Sequence, residues 1–198
     1  MPLTVHPSDE FLQSCPVINA DHPAVLARAR ALRQHQSNKE ALACATYRFV
    51  RDQIRHSGDA RSAIMTCSAS EVLEARTGWC FAKSHLLAAS LRANAIPAAL
   101  AYQRLAGITP GSFTLHGLNY VWLAEHGWYR CDARGNKPGV TAEFTPPLEQ
   151  LAWPLTETGE TDFPGCYPRP LPQIVKYLQQ NCSFEDALNS LPDEVTLP

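Results

Sequence analysis

Cys80 directly follows Thr77-Gly78-Trp79 and opens an apolar stretch. A sulfur at a helix start sits among unsatisfied N–H groups and the positive end of the helix dipole. A thiol there ionises more readily, the more so with a histidine beside it. The ordinary alternative is a buried helix cysteine acting as a small hydrophobe. Gly78 and the helix start weigh against that alternative. His116 begins a segment after a loop containing Gly107, Pro110 and Gly111, where the end of a scaffold element can deliver a side chain into a cleft. Asp132 lies sixteen residues further on, at the end of a returning segment. A carboxylate bonded to one imidazole nitrogen fixes the tautomer, and the other nitrogen can then hold cysteine as a thiolate–imidazolium pair. Cys80, His116 and Asp132 thus fill, in chain order, the three places of a nucleophilic triad.

The elements that must bring these residues together are readable from caps and periodicity. Asp21 is placed to cap a helix with Pro23 in its first turn, running to about Gln34. Ser37-Asn38-Lys39-Glu40 fits a capping box, and Leu42, Ala45, Phe49 and Ile54 continue a helix to near His56. Ser68-Ala69-Ser70-Glu71 repeats the box and opens a short helix through Arg76. The Cys80 helix runs to Ala93, with Leu86, Leu87, Ser90 and Leu91 alternating with Lys83 and Arg92; Asn94 and Pro97 end it.

Beyond Pro97 the period changes. Ala98–Leu105 reads as a strand, 106–114 as a loop, and His116–Leu123 and Trp128–Asp132 as strands joined around Glu125-His126-Gly127. Helices followed by antiparallel strands is the α+β order. If paired residues sum to an even number, His116 and Asp132 share a face of the sheet, whereas a two-residue turn would separate them; direct opposition requires a sum of 248 and a five-residue loop, Trp122–His126.

With 198 residues, the chain is expected to form one domain (1–198) with a core at about 37–140 and an extension over 141–198. Six of the sixteen prolines lie in 1–137 and ten in 138–198, so the last third is expected to be less regular. Prolines across 146–172 favour an extended segment laid over the domain, with short helices at 172–180 and 184–191, the second begun by Ser183-Phe184-Glu185-Asp186.

A formal charge of −2 with neither sign collected into a block argues against a nucleic-acid or anionic-membrane partner. No apolar stretch approaches a membrane span, and Met1–His6 lack a signal-peptide pattern, so the expected location is cytoplasmic. Seven cysteines, odd in number and without C-x-x-C spacing, argue against a disulfide framework or structural zinc. No cofactor or metal is expected, and the oligomeric state is left open.

The sequence around these residues resembles the transglutaminase-like superfamily. The resemblance rests on Gly78-Trp79-Cys80-Phe81-Ala82-Lys83, the Leu86–Arg92 helix, Ala95-Ile96-Pro97-Ala98, His116 and Trp128-Tyr129-Arg130-Cys131-Asp132, and covers about residues 40–140. It implies a papain-like α+β fold, with N-terminal helices packed on an antiparallel sheet. It also implies an enzyme that hydrolyses an amide or transfers its acyl group through a thioester. On this resemblance Cys80 is the nucleophile, His116 the base and then acid, and Asp132 the orienting carboxylate. The implied partner is a peptide or other carboxamide substrate. The chain is similar to compact bacterial members described as cysteine proteases, having neither an acidic calcium cluster nor room for the extra domains of the large animal enzymes. A non-catalytic peptide-binding module of the same fold is the competing reading.

The Cys80 N–H is the natural first donor to an oxyanion, and Gln53, His56 and Trp79 are candidates for a second. His85, about 140° around the helix from Cys80, reads as a polar flank. His126 reads as a solvated hairpin tip and Cys131 as a core thiol facing away from Asp132. Trp122 and Trp128 are expected to pack the sheet, while Trp79 could line the cleft or the core. Arg134-Gly135-Asn136-Lys137 reads as a polar loop, with contact to a substrate anion as the alternative.

Overall fold

The structure, a computed structural model, describes residues 7–107, 109–181 and 184–193. Helix α1 (Pro23–Arg33) is capped by His22, whose Nδ1 accepts the Ala24 N–H at 3.3 Å. The expected cap, Asp21, is instead bonded by the Ser14 hydroxyl. Helix α2 (Lys39–Gln53) is capped by Asn38, whose Oδ1 accepts the Ala41 N–H at 2.8 Å, so the box expected from Ser37 does not form. This helix stops before His56 because Ile54 turns extended, at φ −110° and ψ 116°. Arg55–His56 then form strand β1, whereas the sequence reads as helix there. A one-turn helix, α3 (Ser57–Ala60), replaces the expected break.

The capping box at Ser68 forms as read. Ser68 Oγ accepts the Glu71 N–H at 3.4 Å, Glu71 Oε2 accepts the Ser68 N–H at 3.0 Å, and α4 (Ala69–Ala75) follows. Arg76 enters the left-handed region at φ 55° and ends it. The chain then lays Thr77–Gly78 (β2) parallel to β1, with His56 opposite Gly78, and delivers Trp79 as the cap of α5 (Cys80–Arg92).

Every residue of α5 is buried, so Lys83 and Arg92 do not mark a polar face as the sequence suggests. A helix closed in on all sides must pair its charges internally. Lys83 Nζ donates to the Ile54 carbonyl at 2.5 Å and the Arg51 carbonyl at 3.3 Å, at the C-terminal end of α2, where a cation is favoured. The Arg92 guanidinium donates to the Gln13, Ala98 and Pro168 carbonyls, each at 2.7 Å, tying the N-terminal segment and the tail to the central helix.

Helix α5 packs on strands β3 (Ala98–Ala106) and β4 (Phe113–Leu123). Strand β5 (Gly127–Cys131) pairs antiparallel with β4 through a three-residue loop, Ala124–His126. Leu123 faces Gly127, giving a sum of 250 rather than 248. The sum is still even, so His116 and Asp132 share a face, offset by two residues rather than directly opposed. In the tail, β6 (Glu143–Thr145) and β7 (Leu148–Gln150) form a hairpin, and β8 (Thr161–Asp162) adds to the edge at β3, giving the order β5-β4-β3-β8. Helices α6 (Pro172–Gln180) and α7 (Phe184–Asn189) follow. Helix α7 ends short of the expected Leu191, as Pro192 disfavours helical geometry at the preceding residue. The readings that involve Met1–His6, Cys182 and Ser183 lie outside the described residues.

The N-terminal helices and the antiparallel sheet therefore form the α+β core, with α5 sandwiched between them. The helix lies close on the sheet at Gly117. A Cβ there would lie 2.6 Å from Phe81 Cδ1 and 3.0 Å from Phe81 Cα. Backbone cannot yield as a flexible side chain would, so Gly117→Ala is expected to destabilise the protein by about 1–3 kcal/mol and to pry the start of α5 away from β4. Urea denaturation of this variant, beside the unsubstituted protein, checks the expectation.

Candidate active site

The three sequence-selected residues converge. Cys80 comes from the first turn of α5, His116 from β4 and Asp132 from the residue after β5. The Gly117 N–H points at Cys80 Sγ at 3.5 Å, which places the sulfur against the strand that carries His116. His116 Nε2 meets Asp132 Oδ2 at 2.8 Å. The Cys80 sulfur is near enough to the His116 ring to act on its charge, and Nε2 is engaged by Asp132, which leaves Nδ1.

Asp132 is fully buried and its lone pairs are used. Oδ2 also accepts the Ala152 N–H at 3.2 Å, Oδ1 accepts the Arg134 N–H at 3.0 Å, and the Asp132 carbonyl accepts from the Tyr47 hydroxyl at 2.9 Å. Burial alone would push the carboxyl up; the His116 charge and these donors hold it below the usual carboxylate range. Burial likewise disfavours a charged His116. The Asp132 carboxylate and the Cys80 sulfur outweigh that effect and push the imidazole up to about 10. The Trp153 ring stands edge-on to His116 at 4.9 Å and closes this end of the site.

Beside the triad lies a second polar cluster. Arg134 is buried, pairs with Asp59 at 2.6 Å and lies over the Trp153 ring at 5.0 Å; Lys137 also pairs with Asp59, at 2.8 Å. Asn136 Oδ1 accepts the Ala142 N–H at 2.9 Å. Within the Arg134–Lys137 loop, both cations are thus paired with an anion of the chain itself. Burial, and next the Arg134 charge, push Lys83 down to about 7.

Of the second-donor candidates, Gln53 is exposed at the end of α2, and Trp79 Nε1 donates to Met65 Sδ at 3.2 Å. His56 stands opposite Gly78 and edge-on to Trp79, with ring centroids 5.5 Å apart. Burial, reinforced by the Arg134 charge, holds its pKa well below the ordinary value, so it is neutral; its Nδ1 makes no hydrogen bond and lies 3.8 Å from Asp59. His85 is not a polar flank: it is buried, with Nδ1 2.8 Å from the Cys67 carbonyl. His126 sits at the hairpin tip, 3.6 Å from Glu40. Cys131 is buried, its thiol pushed well up by burial. Trp122 and Trp128 pack together at 5.6 Å on the face of the sheet turned away from α5, where Phe11 also contacts Trp128. Trp79 is buried and stacks on Phe184 at 6.0 Å. The residues that sequence reasoning missed are Gly117, Ala152 and Trp153. Only Gly117, adjacent to His116, carried a signal, as a glycine inside a strand.

Because the folded state raises the His116 pKa above the unfolded 6.5, its charge contributes stability that is fully present below about pH 6.5 and lost as pH rises through about 10. The unfolding free energy of the unsubstituted protein, relative to His116→Gln, is thus expected to fall across that window. Paired denaturation curves at pH 6, 8 and 10 check it; a constant difference would contradict it.

Among the described residues, no group of three His, Cys, Asp or Glu side chains is placed to hold a metal, and no helix is long and apolar enough to cross a membrane. No curated protein matches the chain. Among solved structures, a Cytophaga hutchinsonii protein provisionally called a cysteine protease superposes with a TM-score of 0.51 at 19% identity, over 68% of this chain and 45% of that one. The periplasmic domain of TgpA from Pseudomonas aeruginosa gives 0.49 at 23% identity, over 66% and 48%. The chain thus spans less than half the length of either structure. The model of the transglutaminase-like superfamily matches residues 27–133, more than half of the sequence and every element that carries Cys80, His116 and Asp132. With that span matched and the α+β fold shared, the chain belongs to the transglutaminase-like superfamily.

Proposed function

We propose that this protein is a cysteine-dependent enzyme that cleaves a peptide or carboxamide bond through a thioester on Cys80, with water as the preferred acceptor. The observation that carries this reading is the 2.8 Å bond between His116 and the buried Asp132, on the strand whose Gly117 N–H meets Cys80 Sγ. A histidine held charged beside a sulfur is the arrangement that activates a thiol.

In the first step the Cys80 thiolate forms a bond to the carbonyl carbon. The carbon–nitrogen bond then breaks, and the leaving amine takes the proton from His116 Nδ1. Water next adds to the thioester and gives a proton to His116; the acid departs and the thiolate returns. Asp132 fixes the ring orientation and balances the imidazolium charge, without itself taking the proton. The Cys80 N–H, at the start of α5, is the first oxyanion donor. Neutral His56 is the best-placed second donor of those considered, since its neighbours on the strand pair lead directly into Cys80.

Alkylation of Cys80 by iodoacetamide, followed by mass spectrometry, tests the reading. The rate at pH 7 is expected to fall at least about tenfold in His116→Ala. Asp132→Asn is expected to lower peptide turnover by roughly 10²- to 10⁴-fold. Equal alkylation rates with and without His116 would favour the binding-module reading.

A further inference from the structure

The reacting groups are covered by the chain itself. Cys80 is 7% exposed and His116 3%. Residues 184–193 lie across them, held at points that flank both. At one end, the Phe184 ring lies flat on Trp79, the residue before Cys80, with an interplanar angle of 4°. At the other, the carbonyl of Pro192 accepts the N–H of Leu115, the residue before His116, at 2.7 Å. Between them Ala187 is buried, and its carbonyl accepts from the Tyr177 hydroxyl at 2.9 Å.

The bond to Pro192 falls on an open strand edge. Strand β5 pairs with β4 only from Asn119 onward, so the stretch before it has no strand partner on that side. Alternate residues of a strand direct their N–H groups to the same edge. Gly117 uses its N–H on Cys80 Sγ, and Leu115, two residues or about 6.8 Å along, uses its own on Pro192. The backbone of 192 therefore sits where an extended chain would be held if its own carbonyl were to reach the sulfur, a β-addition geometry. An open groove of about 330 Å³ runs between it and α6, lined by Gln173, Tyr177, Asn181, Ser190 and Pro192.

We propose that the open edge of β4 beside Cys80 is the track for an extended polypeptide substrate, and that residues 184–193 occupy it in the free protein as a built-in competitor. The inference rests on Cys80 being the nucleophile. Substrate must then displace this segment, with Trp79 becoming the platform for an apolar side chain that Phe184 now covers. Displacement breaks no covalent bond, so the masking is reversible.

The test uses the full chain with Phe184→Ala alone and with Phe184→Ala/Ala187→Asp, the second placing a carboxylate at a buried position of α7. Cys80 alkylation by iodoacetamide is expected to accelerate at least about tenfold in the double variant and by less in the single one. Cys131, buried in the sheet, should stay unreactive in both, which separates release of the segment from unfolding. If Cys131 of the double variant does react, the single variant decides. Cys80 rates equal to the parent in the folded variants would overturn the masking. His116→Ala separates this failure from failure of the enzymatic reading: a Cys80 rate unchanged by the segment variants but lowered in His116→Ala sinks only the mask, whereas a rate indifferent to His116 sinks the nucleophile itself.

Discussion

A carboxylate without solvent contact must be neutralised where it stands, and the architecture around Asp132 serves that requirement. The anion is taken up by His116 Nε2 and the N–H groups of Arg134 and Ala152, while Tyr47 fixes the backbone carbonyl of the same residue. These partners come from β4, the turn after β5, the tail and α2, so the ion pair can form only when four separate parts of the fold are in place. Removing one partner of such a pair costs roughly 3–5 kcal/mol, because a buried charge is left uncompensated. In the proposed reaction the same constraint gives His116 its role. A ring whose outer nitrogen is locked to an anion presents the other nitrogen to sulfur as a proton donor.

The position of the sulfur depends on a second constraint, the close approach of α5 to β4. Glycine at 117 lets the helix start lie on the strand, and its N–H is then available to Cys80. Helix α5 can be buried on all sides only because Lys83 and Arg92 carry their charges to backbone carbonyls of neighbouring segments. The central helix therefore positions Cys80 and joins the N-terminal segment, α2 and the tail.

Much of this arrangement was legible in the residues. The Ser68–Glu71 box and the start of α5 at Cys80 are local signals, set by hydrogen-bond geometry within a few residues; the parity of the β4–β5 hairpin depended on its loop length, and the three-residue loop makes it even, which puts His116 and Asp132 on one face of the sheet. What was not legible depends on distant partners. His22 and Asn38 displaced the expected caps because Asp21 is engaged by Ser14 and because Asn38, itself a strong cap, starts α2 one residue after Ser37. Lys83 reads as solvated until α2 is seen to end against it. Ala152 and Trp153 lie in a proline-rich stretch with no periodicity, so nothing local to them announces a role beside His116. The segment over the active site has the same character: its own sequence specifies a short helix, and only the fold shows what that helix covers.

The protonation state of His116 tests this account most directly. In ¹⁵N-detected NMR of protein labelled at histidine, the His116 ring is expected to carry a proton on both nitrogens at neutral pH and to lose one near pH 10, while the Asp132→Asn ring titrates several units lower. A His116 ring that titrates near 6.5 in the unsubstituted protein, indifferent to Asp132, would contradict it.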